Sequence, residues 1–453
     1  MINSHQLIYT LSEALNLIGV SDTNNKRVAF MALECAKSLN LSKKMTKDLF
    51  HVSLIHDCGV SSKKAHEQLI SKLDSKGKED HCIRGFKLVK SSQMMQHLSG
   101  IILYHHTNWE ILKNLKISKE TALLANLLFL TDSVDILYTQ QLLQNNTRSN
   151  TDIFREIKKK IIELAGVYFD PFLVDVFLKT CDDEMFIFTL KDENLDVYFS
   201  NFTRTLETKN INLRTLKEMA KVFAYFVDKK STYNNEFSIN ISKLSRLLAA
   251  NMNLDDETCE KIEIAGLFHN LGKIRVPDET LNEINTSKKC AFDISKMHAY
   301  ETFKILEKIK GIEDITKWAT QYKDTSTNNK DSKEKNIPIP SQIIKASILF
   351  QIIVQNNLQE KEVIEIFRSN AKVENIDNVI IKLVENNLDS CLEISKNHHI
   401  KEDFDEKPED ILIYKSFYMD PHKKEFKEAI RKITLNLKRK NTQYQKENLQ
   451  YSM

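Results

Sequence analysis

The sequence predicts an all-α protein built as two similar helical bundles in tandem. Three observations carry this. The 453 residues include only 9 Gly and 6 Pro, too few of the residues that punctuate strands and tight turns for a β-rich chain. Apolar residues recur at i, i+3 and i+4, as in "RVAFMALECAKSLNL" (27–41). Five short stretches of the first half also return, in the same order, in the second. A chain of this length exceeds what one core usually spans, so more than one domain is expected.

Taken along the chain, the matching stretches locate the elements. "SLIHDCGV" (53–60) ends an apolar helix and pairs with "GLFHNLGK" (266–273), which sets His56 against His269, 213 positions apart. The helix beginning "HCIRGFKLVKSS" at His81 pairs with "HAYETFKILEKI" at His298, 217 positions on. "ILYHHTNW", with His105 and His106, pairs with "WATQYKD", where Tyr322 and Lys323 stand in their places. The apolar helix "LLANLLFLTDSVDIL" pairs with "QIIKASILFQIIV", which sets Asp132 against Ile348. "FDPFLVDVFL" from Phe169 echoes "IDNVIIKLVE" from Ile376. These matches divide the chain into one helical domain over 1–200, a second over 205–400 and a tail over 401–453. The polar stretch 323–336 reads as a loop inside the second domain.

A net charge of +3 gives no electrostatic footprint for a nucleic acid polymer, and the basic run "RKITLNLKRKNTQYQK" reads as a solvated helix end and tail. The seven cysteines are scattered with no CxxC pair, which argues against a zinc ribbon. The N-terminus has no signal-peptide pattern, and no run approaches the ~18 apolar residues of a membrane span. Together these features place the protein in the cytoplasm, away from membranes.

Six residues of the first half form a candidate metal-binding set: His56, Asp57, His81, His105, His106 and Asp132. Imidazole and carboxylate are ligands that iron, manganese and zinc accept. Asp132 stands in "LLFLTDSVD", where a carboxylate is costly unless it is paired, exposed or bound to a cation. His105 and His106 are adjacent, so on one helix their rings would diverge by about 100°. They can meet one metal only near a helix end, or else reach toward two metals. In the second half Asn270, Tyr322, Lys323 and Ile348 replace Asp57, the histidine pair and Asp132, a loss in concert that marks the first set as a unit.

At these residues the chain resembles the HD-domain phosphohydrolases, in particular their HD-GYP branch. "AGLFHNLGKIRVPDETL" is close to that branch's signature, and "ELAGVYFDPFLVDVFL" is similar to its closing helix pair. The resemblance implies two tandem HD-type bundles and hydrolysis of a cyclic dinucleotide, chiefly cyclic di-GMP, with iron or manganese held by the six residues. Asp57 would be the catalytic, metal-bridging carboxylate. Departures from the pattern are Val20 and Asn24 ahead of "RVA", Val60 in place of a lysine, and the missing GYP loop after His106, while Phe237 stands at the first-histidine position of the second half. They imply one or two ions rather than three. Arg84, Lys87 and Lys90, near His81, are candidate phosphate contacts. The second bundle would be non-catalytic and serve packing, regulation or a homodimer. Two rival readings stay open: an inactive signalling scaffold that binds a nucleotide or a protein, and an HD hydrolase of a mononucleotide or ppGpp, against which the paired histidines speak.

Overall fold

The computed structural model describes residues 2–16, 25–60, 78–143, 149–206, 210–230, 237–275, 288–323, 337–356 and 358–396. Val20, Asn24, most of the expected loop (324–336) and the expected tail (401–453) lie outside the described residues. The described chain is all-α apart from one two-residue strand pair.

The first half contains α1 (Ser4–Asn16), α2 (Asn25–Ser38), α3 (Lys43–Ile55), α4 (Lys78–Lys90), α5 (Ser99–Tyr104), α6 (Trp109–Leu112), α7 (Lys119–Leu143), α8 (Asn150–Glu163), α9 (Pro171–Thr180), α10 (Glu184–Thr189) and α11 (Asp192–Thr205). The second contains α12 (Leu213–Lys230), α13 (Phe237–Asn251), α14 (Asp256–Phe268), α15 (Lys288–Leu306), α16 (Glu313–Thr320), α17 (Ile339–Val354), α18 (Glu360–Val373), α19 (Asn378–Asn386) and α20 (Leu388–Lys396).

Local geometry recurs between the halves at the offsets read from the sequence. Asn40, just past α2, has φ 50° and lets Leu41 N–H reach back to the Ala36 carbonyl. Asn253, just past α13, has φ 56°, and Leu254 N–H reaches the Ala249 carbonyl. Asparagine suits this left-handed helix stop because its short polar side chain tolerates it. The next helix then starts on a capping side chain, Ser42 before α3 and Asp255 before α14. Asp170 and Asp377 likewise cap α9 and α19.

Helix α7 is the axis of the first half. It packs against α2, α3, α5 and α8, and Leu124 through Ile136 are buried without a break. A helix buried all round needs no polar face. This explains a difference from the sequence reading: by length and composition alone α7 could cross a membrane, yet 78% of its apolar window is buried inside the protein. Beside Asp132 it carries a second buried carboxylate, Asp135, which accepts hydrogen bonds from the buried Arg27 of α2. Thr139 also accepts from Arg27, at 3.0 Å. At the matching place in the second half, amides replace the ions: Asn240 and Gln351 both donate to the Ser395 carbonyl at 3.4 Å.

The halves share one hydrophobic core. Strand Ile2–Asn3 pairs antiparallel with Asn210–Ile211. Met219, Val222 and Phe223 of α12 pack against Ile8, Ile55, Cys58, Val89 and Met95 of the first half. Gln93 N–H donates to Glu218 at 3.1 Å across the same seam.

Breaking a buried ion pair leaves the surviving charge uncompensated, at a cost of about 3–5 kcal/mol. Asp135→Ala should therefore lower the unfolding free energy measured by urea denaturation by an amount in that range. Removing both charges with Arg27→Met and Asp135→Leu should recover most of the loss.

Candidate metal centre

Two histidines reach the site from helix ends, held in the same way. His56 caps the C-terminus of α3, and its Nδ1 lies 2.8 Å from the Ser53 carbonyl one turn back. His105 caps α5, with Nδ1 2.6 Å from the Ile102 carbonyl. A carbonyl can only accept, so each Nδ1 carries a proton and Nε2 is the nitrogen that ligates once it is free of its own. This is the tautomer a metal-ligating imidazole needs, fixed by a partner behind the ring.

The remaining groups come from three other elements. Asp57 opens the turn after α3, His81 lies in the first turns of α4, and Asp132 lies in the middle of α7. The His56 Nε2 is 3.3 Å from Asp132 Oδ1 and 3.5 Å from Asp57 Oδ2. Asp57 Oδ1 is 3.6 Å from His81 Nε2 and 3.9 Å from His105 Nε2, and those two nitrogens are 3.3 Å apart. His106 follows His105 just past the helix end, where the two rings lie 4.2 Å apart, centroid to centroid, and both face the cluster. Close backbone packing brings α4 to this turn. A Cβ on Gly59 would fall 1.9 Å from the His81 carbonyl oxygen and 2.6 Å from Gly85 N.

All six residues expected from the sequence are therefore brought together. They form two groups, His56–Asp57–Asp132 and Asp57–His81–His105–His106, each with ligand atoms within 4.8 Å of one another. Asp57 belongs to both. Ligand atoms about 2.0–2.2 Å from an ion stand about 3–3.6 Å from each other, and the 3.3 Å separations fall in that range. The donor set of imidazoles and carboxylates suits a divalent ion of the first transition row.

The electrostatics agree. Burial alone would push the His56 imidazole down, but the Asp57 and Asp132 carboxylates outweigh it and raise the group to about 9. A field that holds a proton on His56 also favours a metal cation there. His105 is pushed the other way, to about 4, by burial and by neighbouring His56, so it stays neutral and able to ligate.

The corresponding place in the second half keeps the scaffold and two histidines, His269 and His298, but not the other four ligand-type residues. His269 caps α14, with Nδ1 2.7 Å from the Gly266 carbonyl. A Cβ on Gly272 would fall 2.0 Å from the His298 carbonyl oxygen. Its ring, however, faces Tyr322 and Phe237 at 6.0 and 6.1 Å, and the next residue is the buried amide Asn270. Among the described residues no metal-capable group occurs in this half.

Sequence reasoning missed Cys82, whose Sγ lies 3.7 Å from both His81 Nε2 and His105 Nδ1. Its position next to His81 on α4 was the available signal. Arg84 lies one turn beyond His81, and its Nε donates to the Gly59 carbonyl at 2.6 Å. Lys90 is exposed at the far end of α4, 4.9 Å over the Phe86 ring.

An all-α protein with a histidine–aspartate cluster at converging helix ends defines the class: a helical scaffold able to hold divalent ions. Comparison with known proteins narrows this further. Residues 211–380 match the family model described as HD domain, so the chain carries an HD domain in its second half. Over 406 residues, 87% of this chain and 94% of the relative, it is 26% identical and homologous to the 3'3'-cGAMP-specific phosphodiesterase 1 of Vibrio cholerae. It is also 24% identical over 164 residues, 36% of each chain, to the 3'3'-cGAMP-specific phosphodiesterase 3 of that organism. A crystal structure of the V. cholerae cyclic GMP-AMP specific phosphodiesterase V-cGAP3 shares the fold, with TM-score 0.55 and 17% identity over 86% of this chain and 98% of that one.

A divalent ion has to displace the proton on His56. Its apparent affinity should therefore rise from pH 6.5 to about 9, by at most about tenfold per pH unit, and then level off. In the metal-free protein the same proton contributes stability that is complete below pH 6.5 and lost as pH rises through about 9. Metal titration calorimetry across this range checks the first slope, and His56→Asn should flatten it.

Proposed function

We propose that the protein is a divalent-metal-dependent phosphodiesterase acting on a cyclic dinucleotide, with 1–200 as the working HD-type domain and 205–400 as a related, non-catalytic one. The observation that carries this reading is Asp57, the one carboxylate common to both ligand groups. In that place it would bridge two ions, one with His56 and Asp132, the other with His81, His105 and His106. Iron or manganese fits this mixed donor set. Ions bound there would make a water nucleophilic near neutral pH and stabilise charge developing on a phosphodiester.

The protein's own groups have defined tasks. The Ser53 and Ile102 carbonyls hold the His56 and His105 rings in the ligating tautomer. Asp132 and Asp57 set the negative field, and the apolar length of α7 keeps Asp132 from turning to solvent. No serine or cysteine nucleophile is required by this arrangement.

Two lines support a cyclic dinucleotide as substrate: the resemblance to the HD-GYP branch, which points to cyclic di-GMP, and the relatives named for 3'3'-cGAMP. Because the homology to the first of these spans most of both chains, 3'3'-cGAMP is the first substrate to test, and cyclic di-GMP the second. Val60 and the missing GYP loop favour a second reading, an inactive scaffold that binds a nucleotide or protein partner.

The test uses protein expressed in iron- or manganese-supplemented medium, with bound metal and cleavage of both dinucleotides measured. Asp57→Ala and His56→Ala should each lower turnover by at least about 100-fold, since loss even of an outer partner of a metal ligand costs about 10–100-fold. Bound metal without turnover of any nucleotide would leave the scaffold reading. Asn270→Asp alone should create no new metal site or activity, because Tyr322 and Ile348 still stand where ligands are needed. A gain in bound metal from that single change would contradict the assignment of the second half.

A further inference from the structure

A site built only from His56, Asp57, His81, His105, His106 and Asp132 attracts cations, yet a phosphodiester is an anion. Ions bound there would meet the phosphodiester from one side, and a cation of the protein can hold a further oxygen. Among the described basic side chains of the first half, Lys26 lies 2.7 Å from Asp196, Arg27 pairs with Asp135, and the exposed Lys44 lies 2.8 Å from Glu120, none of them on the turn that carries Asp57. The turn after Asp57 supplies no charge of its own, since Val60, three residues on, is apolar and buried. In the second half, Lys273 stands three residues past Asn270 as a partly buried cation, pulled down to about 8 by burial against the field of Asp228.

Arg84 brings a cation to the first-half turn from the neighbouring helix. It lies three residues past His81 on α4, so both side chains leave the same face. Its half-buried guanidinium donates Nε–H to the carbonyl of Gly59, two residues past Asp57. That bond ties the guanidinium to the same turn that carries the shared carboxylate. A guanidinium held at Nε has its plane fixed, and its fork of donors matches two phosphate oxygens better than an ammonium does. Because it is already held in place, little further side-chain ordering is required when an anion binds.

We propose that Arg84 grips a phosphate oxygen of the phosphodiester substrate beside the metal centre. This rests on the phosphodiesterase reading. The three variants are Arg84→Gln, which keeps a donor for Gly59 without the charge, Arg84→Lys, and Arg84→Ala. With manganese-loaded protein, Arg84→Gln and Arg84→Ala should raise KM for the cyclic dinucleotide by about 10–100-fold, the usual worth of a charge-assisted hydrogen bond. Bound manganese per chain should stay at the wild-type level, and Arg84→Lys should recover part of the loss. In a second arm, calorimetric binding of inorganic phosphate to the manganese-loaded protein should weaken in Arg84→Gln by a similar factor. Unchanged KM together with unchanged phosphate affinity would overturn the proposal. Loss of bound manganese in Arg84→Gln would also overturn it, because the residue would then be a brace for the turn. If the wild-type protein cleaves no cyclic dinucleotide, the phosphodiesterase reading fails and the phosphate arm decides Arg84 alone. Equal binding by wild type and Arg84→Gln, or none by either, would then reject it.

Discussion

The carboxylate of Asp57 and the imidazole of His81 come within 3.6 Å of each other because no side chain separates the backbones that carry them. Gly59 rests directly on the His81 carbonyl and on Gly85, where even a methyl group would collide. Any other residue at 59 would push α4 away from the turn and take His81 with it. The distances to His105 and His106 depend on the same approach, since α5 packs on α4. This glycine contact therefore governs the cluster more than any one ligand does: a ligand can be lost singly, whereas loss of the contact separates the ligand set.

The second half supports that view, because it keeps the contact although only two of the six matching positions, His269 and His298, carry ligand-type side chains. Gly272 lies on the His298 backbone as Gly59 lies on that of His81, and His269 is tethered to its own helix as His56 is. Around His269, aromatic rings fill the space that carboxylates and histidines line in the first half. The buried Arg27–Asp135 pair likewise has neutral amides as its counterpart. Replacing ions with amides and rings lowers the desolvation cost of a core that binds no cation. The family model described as HD domain matches within this second half, over residues 211–380.

Much of this was legible in the sequence. The all-α class followed from scarce glycine and proline and from helical periodicity, because both report local backbone preference. The candidate ligands were legible because the counterparts of four of them, Asp57, His105, His106 and Asp132, change together in the later half, a pattern that local propensity does not produce, while His56 and His81 keep histidine counterparts there. Other features were hidden because they depend on tertiary contact. Cys82 gave no sign of facing two imidazoles, since a buried cysteine reads as a small apolar residue. The pair of Asp135 and Arg27 gave no sign either, since the two residues stand 108 positions apart. The enclosure of helix α7 was hidden for a related reason: polar letters interrupt its apolar run, yet Leu124 through Ile136 are buried and the helix packs against four others.

The seam between the halves also bears on how the chain can be divided. Residues 2 and 3 form a ladder with 210 and 211, and α12 wedges Met219, Val222 and Phe223 under the helices that deliver His56 and His81. The sequence repeat suggests a cut near residue 205, yet a fragment ending there would leave Ile8, Ile55 and Val89 bare to water beneath the helices that carry the histidine–aspartate cluster. The later half thus acts as a floor for the earlier one, a structural task that depends on none of the ligand-type residues.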